Sequence, residues 1–159
     1  MPRVKKVHPR IINPDPILNN RLIAKLINQI MRDGKKSIAQ KHVYQALEII
    51  KAKTKEDPLI VLRQAIDNAK PNMEVRSRRV GGAAYQVPTP VKGDRRESLA
   101  IRWLIAAARA RSNREYHQFS EKLAAEFLDA VQNQGGAVEK KTQTHKMAEA
   151  NKAFSHFRW

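Results

Sequence analysis

Three arginines recur at a fixed spacing in one segment of the chain, and this spacing has a clear chemical meaning. Arg95, Arg102 and Arg109 are seven residues apart, which is about two turns of an α-helix, so a helix would carry all three on one face. Glu97 is the only acidic residue between Arg95 and Arg114. An ordinary solvated helix face usually alternates in charge sign, so the pattern favours binding to phosphate groups.

A second cationic group lies in residues 72–91, where valines recur around Gly81-Gly82. This pattern predicts an exposed β-hairpin with a glycine turn, and strand alternation would place Arg76 and Arg78 on one face. The charges suit contacts with a nucleic-acid backbone, and protection of an edge strand against aggregation is the alternative. Because the glycine pair precedes no predicted helix, a hairpin turn is favoured over a phosphate-binding loop.

The charge of the whole chain indicates a polyanionic partner. Its 159 residues include 31 Lys or Arg against 15 Asp or Glu, for a net charge of +16. Ten of these cations and only three of the acids fall within residues 70–111. Clustered charge predicts one face turned to a polyanion, and arginine-rich faces with a protruding hairpin and extended arms suit irregular folded RNA.

Several functional classes find no support in the sequence. The absence of cysteine excludes disulfide frameworks, thiolate chemistry and cysteine-ligated metals. The five histidines are scattered, without a metalloprotease, nucleophile-elbow or phosphate-loop motif. We therefore expect no enzyme, no metal and no cofactor. The first residues lack the apolar core of a secretory signal, and the longest apolar run is too short to cross a membrane, so no membrane partner is expected.

Apolar periodicity predicts a mainly α fold, a bundle of about six helices with an inserted, protruding β-hairpin and basic terminal extensions. The predicted helices run from Asn20 towards Gly34, from Ser37 past Ile50, from Pro58 to before Pro71, from Asp94 to Ala110, from Asn113 to Val131, and through His145 and Lys146. Ser37 and Gln40 have the spacing of a capping box, and Asp57 is a typical N-cap. The same periodicity places Ile38 and Trp103 on core-facing stripes.

The chain divides into three predicted parts. Residues 1–18 are rich in Pro, Lys and Arg without a period, which predicts a basic arm that orders only against a partner. Residues 19–153 form the helical domain, with the hairpin at about 72–91. Residues 154–159 are a tail whose aromatic side chains, Phe154, Phe157 and Trp159, either stack on bases or attach the C-terminus to the core or to a neighbouring molecule.

Four motifs, in order along the chain, resemble the family of small-subunit ribosomal protein number seven, of the bacterial or plastid type. They are Asp-Gly-Lys-Lys-Ser at residues 33–37, Val-Arg-Ser-Arg-Arg-Val-Gly-Gly at 75–82 with Tyr-Gln-Val-Pro at 85–88, Ala-Ile-Arg-Trp at 100–103, and His-Lys-Met-Ala-Glu-Ala-Asn-Lys-Ala-Phe at 145–154. The resemblance extends from about residue 10 to Trp159.

The resemblance implies a structural protein that binds the 3′ major domain of 16S rRNA, nucleates assembly of the head of the small subunit, and lies near the exit-site tRNA and the mRNA path. The implied partners are therefore 16S rRNA, exit-site tRNA, mRNA and neighbouring small-subunit proteins, without a small-molecule substrate. The implied location is the ribosome of the cytoplasm, or of the plastid stroma for an organelle-encoded chain.

Charge pattern and resemblance together give a set of candidate RNA-binding residues. We expect rRNA contacts from Arg3, Lys5, Lys6, Arg10, Lys35, Lys36, Arg76, Arg78, Arg79, Lys92, Arg95, Arg96, Arg102, Arg109, Arg111 and Lys146. We expect the hairpin tip, Arg79 with Gly81, Gly82 and Ala83, to approach the tRNA. Two alternatives remain: a DNA-compacting protein would share the charge, and an enzyme acting on RNA would need a carboxylate or histidine cluster that the sequence does not indicate.

Overall fold

The computed structural model describes residues 12–157, which form six α-helices, one β-hairpin and a final 3₁₀-helix. The elements are α1 (Arg21–Ile30), α2 (Lys36–Thr54), α3 (Pro58–Ala69), β1 (Met73–Val80), β2 (Ala83–Pro90), α4 (Gly93–Ala110), α5 (Phe119–Val131), α6 (Gly136–Ala150) and the 3₁₀-helix (Lys152–Phe157). The predicted fold class, a helical bundle with one inserted hairpin, is confirmed.

Helix α5 lies at the centre of the bundle and packs against α2, α3 and α4. Its apolar side chains are spread around most of the helix, and Leu123, Ala124, Phe127 and Ala130 are all fully buried. A helix that is apolar on most of its faces can be satisfied only by neighbours on several sides. The surrounding helices each bury one stripe against it, which leaves their outer faces available for charged residues.

Helix ends follow local capping chemistry in several places. The side chain of Asp57 accepts a hydrogen bond from the backbone N–H of Leu59, as predicted, and Asn20 caps α1 in the same way through Leu22. Helix α5 begins at Phe119 rather than at the predicted Asn113, because Gln118 and Glu121 form a reciprocal capping box there.

The predicted start of α2 is wrong in two respects. The helix begins at Lys36, so Ser37 lies inside it and no side chain caps its end. Ile38 is 52% exposed, because the buried stripe is centred on Ala39 and Val43 and a residue one position away points about 100° from it. Helix α1 also ends earlier than predicted, at Ile30, and Gly34 lies in the following turn.

Part of the predicted N-terminal arm is attached to the bundle. Asp15 is only 3% exposed, and its carboxylate accepts hydrogen bonds from the hydroxyl of Tyr44, at 2.8 and 3.0 Å, and from the backbone N–H groups of Ile17 and Leu18. Burial and the neighbouring Asp15 raise the pKa of Tyr44 to about 12. Asp15 is therefore anchored to the bundle, in contrast to the expected free arm, and residues 1–11 lie outside the described part.

A buried carboxylate joins α4, α5 and α6. Glu126 is 1% exposed; its Oε1 accepts from the backbone N–H of Ala137 at 3.0 Å, and its Oε2 accepts from the guanidinium of Arg111 at 2.6 Å. Lys122 donates to the backbone carbonyl of Arg111 at 2.5 Å, close to the end of α4. These contacts fix the direction in which α4 ends, and hence the orientation of its arginine face.

Candidate nucleic-acid interface

The hairpin carries its charge on one strand only. Strand β1 holds Arg76, Arg78 and Arg79, whereas β2 has no charged residue. The two strands pair antiparallel up to Val80 opposite Ala83. Gly81 and Gly82 connect them with φ angles of 57° and 90°, and a two-residue hairpin turn of this kind favours glycine because both residues need positive φ. The predicted hairpin and its glycine turn are confirmed.

The base of the hairpin is held to the bundle, which corrects the expectation that the hairpin is exposed along its whole length. Val87 is fully buried, and α6 and the 3₁₀-helix pack against the strands. The backbone N–H of Asn72, just before β1, donates to Nε2 of His145 in α6 at 2.9 Å. Burial, with Lys141 and Arg96 nearby, holds the pKa of His145 below its ordinary value, and this favours the neutral ring that can accept the bond.

One carboxylate connects the hairpin to α4. Glu74 accepts from Nε of Arg76 at 2.6 Å and from Nη2 of Arg95 at 2.8 Å. The hydrogen bonds from Arg95 are the main reason that the pKa of Glu74 lies below its usual range, and those from Arg76 add to the effect. Two guanidinium groups share one carboxylate, so this junction keeps a net positive charge while its geometry is fixed.

The C-terminal aromatic side chains pack on the hairpin. Phe154 and Phe157 lie with ring centroids 5.3 and 5.2 Å from the ring of Tyr85 in β2, within the range of favourable aromatic pairs. Of the two predicted roles, these two side chains take the structural one. Trp159 lies outside the described residues, and its role stays a prediction.

Helix α4 presents the predicted row of arginines. Arg95, Arg102 and Arg109 are all exposed, and the helix rise places the first and last about 21 Å apart. Arg102 donates to the carbonyl of Ser98 in its own helix at 3.3 Å. Arg109 donates to the carbonyl of Ile30 at the end of α1, at 2.9 Å. The pKa of Arg109 is lowered by burial of part of its side chain and by Arg32 nearby.

The acids beside this row are paired with a cation of α1. Lys25 donates to Glu97 at 2.8 Å, and its ammonium also lies 3.5 Å from Asp94. These contacts offset the negative charge next to the arginines. Arg96 turns to the other side, where it donates to the carbonyl of Pro71 at 3.0 Å and to the side chain of Asn72.

The turn after α1 brings further cations to the end of the arginine row. Arg32, Lys35 and Arg109 line one open groove of about 310 Å³, and Lys36 lies beside it at the start of α2. Arg32 was not among the predicted residues. Arg32 directly precedes the Asp-Gly-Lys-Lys motif, and this position is the feature of the sequence that could have identified it as a further cation of the site.

We call the cations of the hairpin, of the α4 row and of this turn together the basic strip. It comprises Arg76, Arg78, Arg79, Arg95, Arg102, Arg109, Arg32, Lys35 and Lys36. Strand β1, helix α4 and the α1–α2 turn position it, and the bonds of Arg95 to Glu74 and of Arg109 to Ile30 link these three elements.

Other predicted residues lie apart from the strip or in different surroundings. Arg111 has its guanidinium occupied by the carboxylates of Glu126 and Asp129. Lys92 is exposed between the hairpin and α4, and Lys146 lies on α6, where it lines a groove near the α5–α6 turn. Arg3, Lys5, Lys6 and Arg10 lie outside the described residues. RNA contact by each of these residues stays a prediction.

Neither a metal centre nor a membrane span is found between residues 12 and 157. No three or more His, Asp or Glu side chains there are arranged to hold a metal ion. None of the helices in this range has the length and apolarity needed to cross a bilayer.

Comparison with known proteins gives a consistent result. The family model described as Ribosomal protein S7p/S5e matches residues 2–152. Proteins named small ribosomal subunit protein uS7 from Acetivibrio thermocellus and Caldicellulosiruptor bescii are both 58% identical over 159 residues, covering all of this chain and all of each relative. The corresponding protein of Thermotoga maritima is 56% identical over 157 residues, 99% of both chains.

Together with the helical fold and the basic strip, these matches define the class of protein. It is a structural, rRNA-binding protein of the small ribosomal subunit, and not an enzyme. Within that class, the chain belongs to the ribosomal protein S7p/S5e family.

Proposed function

We propose that the chain binds the 3′ major domain of 16S rRNA through the basic strip and so nucleates assembly of the head of the small subunit. The observation that carries the proposal is the row Arg95, Arg102 and Arg109. It joins the hairpin at one end, through Glu74, and the cations of the α1–α2 turn at the other. Such a row suits phosphate groups that are distributed over more than one RNA segment.

The resemblance supports the choice of RNA region, and the electrostatics support the mode of binding. Each phosphate neutralised by a Lys or Arg side chain releases condensed counterions, so a strip of many cations gives strong, salt-dependent affinity. Arginine contacts with phosphates fix orientation rather than sequence. A rigid strip is therefore suited to hold separate RNA segments in one arrangement, which is what an early assembly protein must do.

We further propose that the hairpin tip contacts the exit-site tRNA and lies close to the mRNA path. The tip residues are exposed, with Arg79 next to the glycine turn. The strands are eight residues each, so the hairpin extends about 25 Å from base to tip. That length separates the tip from the cations of α4 and allows it to reach a second RNA.

Reconstitution of the small subunit tests the proposed rRNA site. Arg102→Ala is the most direct variant, because within residues 12–157 Arg102 bonds only to a carbonyl of its own helix. Arg63→Ala is the matched control, an exposed arginine on α3 outside the strip. We expect full-length protein to protect part of the 3′ major domain from chemical probing, Arg102→Ala to reduce that protection, and Arg63→Ala to leave it unchanged. Protection confined to another rRNA domain would contradict the proposal.

A further inference from the structure

Trp103 is placed differently from its predicted position in the core. Its side chain is only partly buried against the core, and it lines an open groove of about 470 Å³ beside α4. The buried stripe of α4 is centred on Ala100, Leu104 and Ala108, so Trp103 lies at the edge of that stripe. A large aromatic side chain is thus available on the same helix that carries the arginine row.

The chemistry of the groove combines an apolar floor with a cationic rim. Leu99, Trp103 and Ala106 form the apolar part, Arg102 and Arg109 border it, and Gln29 of α1 faces it. No acidic residue is among the described residues that line it. A groove of this size lies within the range of about 300–1,000 Å³ that holds small organic ligands.

Hydrogen-bonding capacity remains at the groove. Within residues 12–157, the indole N–H of Trp103 has no hydrogen-bond acceptor, and it is not among the buried unpaired groups. Nε of Arg102 donates to the backbone carbonyl of Ser98, and Nη2 of Arg109 donates to the backbone carbonyl of Ile30. The other N–H groups of both guanidinium groups have no partner in that range. An aromatic face, a free indole donor and two cations therefore meet in one place.

We propose that an unpaired nucleobase of the bound RNA enters this groove and stacks on the indole of Trp103, while Arg102 and Arg109 contact its flanking phosphates. The inference rests on the proposed RNA binding by α4 and adds an aromatic contact that the row of arginines does not itself require. Single-stranded nucleotides are bound by this combination of aromatic stacking and cations. The cationic rim without acids favours RNA over a protein segment as the occupant.

Tryptophan fluorescence measures this contact directly. The chain has two tryptophans, Trp103 and Trp159, so full-length Trp159→Phe protein reports on Trp103 alone. The probes are a single-stranded oligoadenylate, an RNA duplex of the same length, and inorganic polyphosphate. We expect the single strand to quench Trp103 strongly at saturation, and the duplex and polyphosphate to bind without comparable quenching, because neither offers a free base face.

Variants separate stacking from charge. Base–aromatic stacking contributes about 1–3 kcal/mol per base, so Trp103→Leu should weaken binding of the single strand about 5- to 150-fold. Trp103→Phe should retain most of the affinity, since a phenyl ring still stacks. Neither variant should change the affinity for polyphosphate. Circular dichroism and thermal unfolding show whether each variant is folded. The quenching experiment does not depend on these variants, because it leaves every residue of the groove unchanged.

The outcomes distinguish the two proposals. If Arg102→Ala binds 16S rRNA as well as Arg63→Ala does, the proposed RNA site on α4 is wrong. If Arg102→Ala weakens binding but Trp103 is not quenched and Trp103→Leu binds single strands normally, α4 binds phosphates only and the stacking inference is overturned. Equal quenching by polyphosphate and by the single strand would also overturn it. Loss of a protein partner, with unchanged RNA binding in Trp103→Leu, would mean that the groove holds a protein segment, contrary to the inference.

Discussion

Arg95 of α4 holds the carboxylate of Glu74 in β1 through its Nε and Nη2 atoms, at 3.0 and 2.8 Å from Oε2. The two residues are 21 positions apart in the chain, yet their contact sets the hairpin at one orientation to the arginine row. Glu74 is itself nearly buried, so its negative charge is directed at the guanidinium groups rather than at solvent. The contact therefore orients cations of the basic strip.

The first prediction concerns this carboxylate. Glu74→Gln should lower the free energy of unfolding by about 1 kcal/mol, a modest value because solvent reaches both guanidinium groups. The pKa of Glu74 is depressed, so its stabilisation is present above the ordinary value of 4.5 and is lost as the pH falls through the lowered pKa. Thermal unfolding of wild type and variant should differ at pH 7 and converge at strongly acidic pH.

Glu48→Gln is the matched control for that experiment. Glu48 is an exposed carboxylate on α2 with no ion pair in the described part of the chain, so its substitution should change stability little at either pH. A difference between wild type and Glu74→Gln that persisted undiminished at acidic pH would rule out the ion pairs as its cause.

The second prediction concerns the attachment of the hairpin to α6. Nε2 of His145 accepts the N–H of Asn72 only while it is unprotonated, and its pKa is lowered by burial, Lys141 and Arg96. The stabilisation, about 1 kcal/mol, is complete above the ordinary value of 6.5 and is lost as the pH falls through the lowered pKa. His145→Gln can still accept through its amide oxygen, so its stability should be less dependent on pH in that range.

His117→Gln serves as the control for His145→Gln. His117 is exposed, and among residues 12–157 its side chain makes no hydrogen bond, ion pair or ring contact. Unfolding free energies measured from pH 7.5 to 5 should show an acid-induced loss in wild type and His117→Gln. The same loss in His145→Gln would show that another group is responsible.

The third prediction compares two glycines that both have positive φ but differ in their surroundings. Gly135 has φ of 91° with ψ of 164°, a combination adopted almost only by glycine, and Gly82 has φ of 90° in the hairpin turn, so Ala is strained at both positions and more strongly at Gly135. At Gly135, however, an added Cβ would lie 2.9 Å from Oε1 of Glu126, whereas nothing is within 4 Å at Gly82. Gly135→Ala should therefore cost about 3 kcal/mol, since it also displaces a buried carboxylate from its donors. Chemical denaturation of both variants measures the difference, and equal losses would contradict it.

Local patterns predicted the elements of this fold better than the contacts between them. The helix over residues 58–69 and the hairpin were predicted because their signals, Asp57-Pro58 and Gly81-Gly82, act within a few residues. The anchoring of Asp15 by Tyr44, 29 residues away, has no such local signal. A Pro-rich basic segment therefore resembled a free arm along its whole length.

In the candidate site, too, local patterns predicted some features, whereas contacts between residues distant in the chain were not predicted. The arginine row of α4 follows from a spacing of seven, so Arg95, Arg102 and Arg109 were placed on one exposed face in advance. Counting charges could not show that Arg111 meets the carboxylates of Glu126 and Asp129 across the bundle. Periodicity also could not place Trp103, because a residue at the edge of a stripe is buried or open according to the neighbouring helix.

The fourth prediction separates the roles of the hairpin base and tip. Deletion of residues 81–84 removes the turn but leaves Glu74, Arg76 and Val87 at the base, which hold the hairpin to the bundle. Subunits should therefore still assemble with the deleted protein. The exit-site tRNA should dissociate faster from them, as measured by filter binding of labelled tRNA. Failure of the deleted protein to enter subunits would show that the tip is an assembly contact instead.

The salt dependence of rRNA binding is the most direct test of the basic strip. Affinity for a 16S 3′ major domain transcript should be measured by filter binding over a series of salt concentrations, for wild type, Arg102→Ala and Arg63→Ala. If Arg102 neutralises one phosphate, its removal should weaken binding at low salt and reduce the magnitude of the log–log slope by about 0.7–0.9. Arg63→Ala should match wild type. An Arg102→Ala protein with the affinity and slope of Arg63→Ala would contradict the assignment of α4 as the rRNA-binding face.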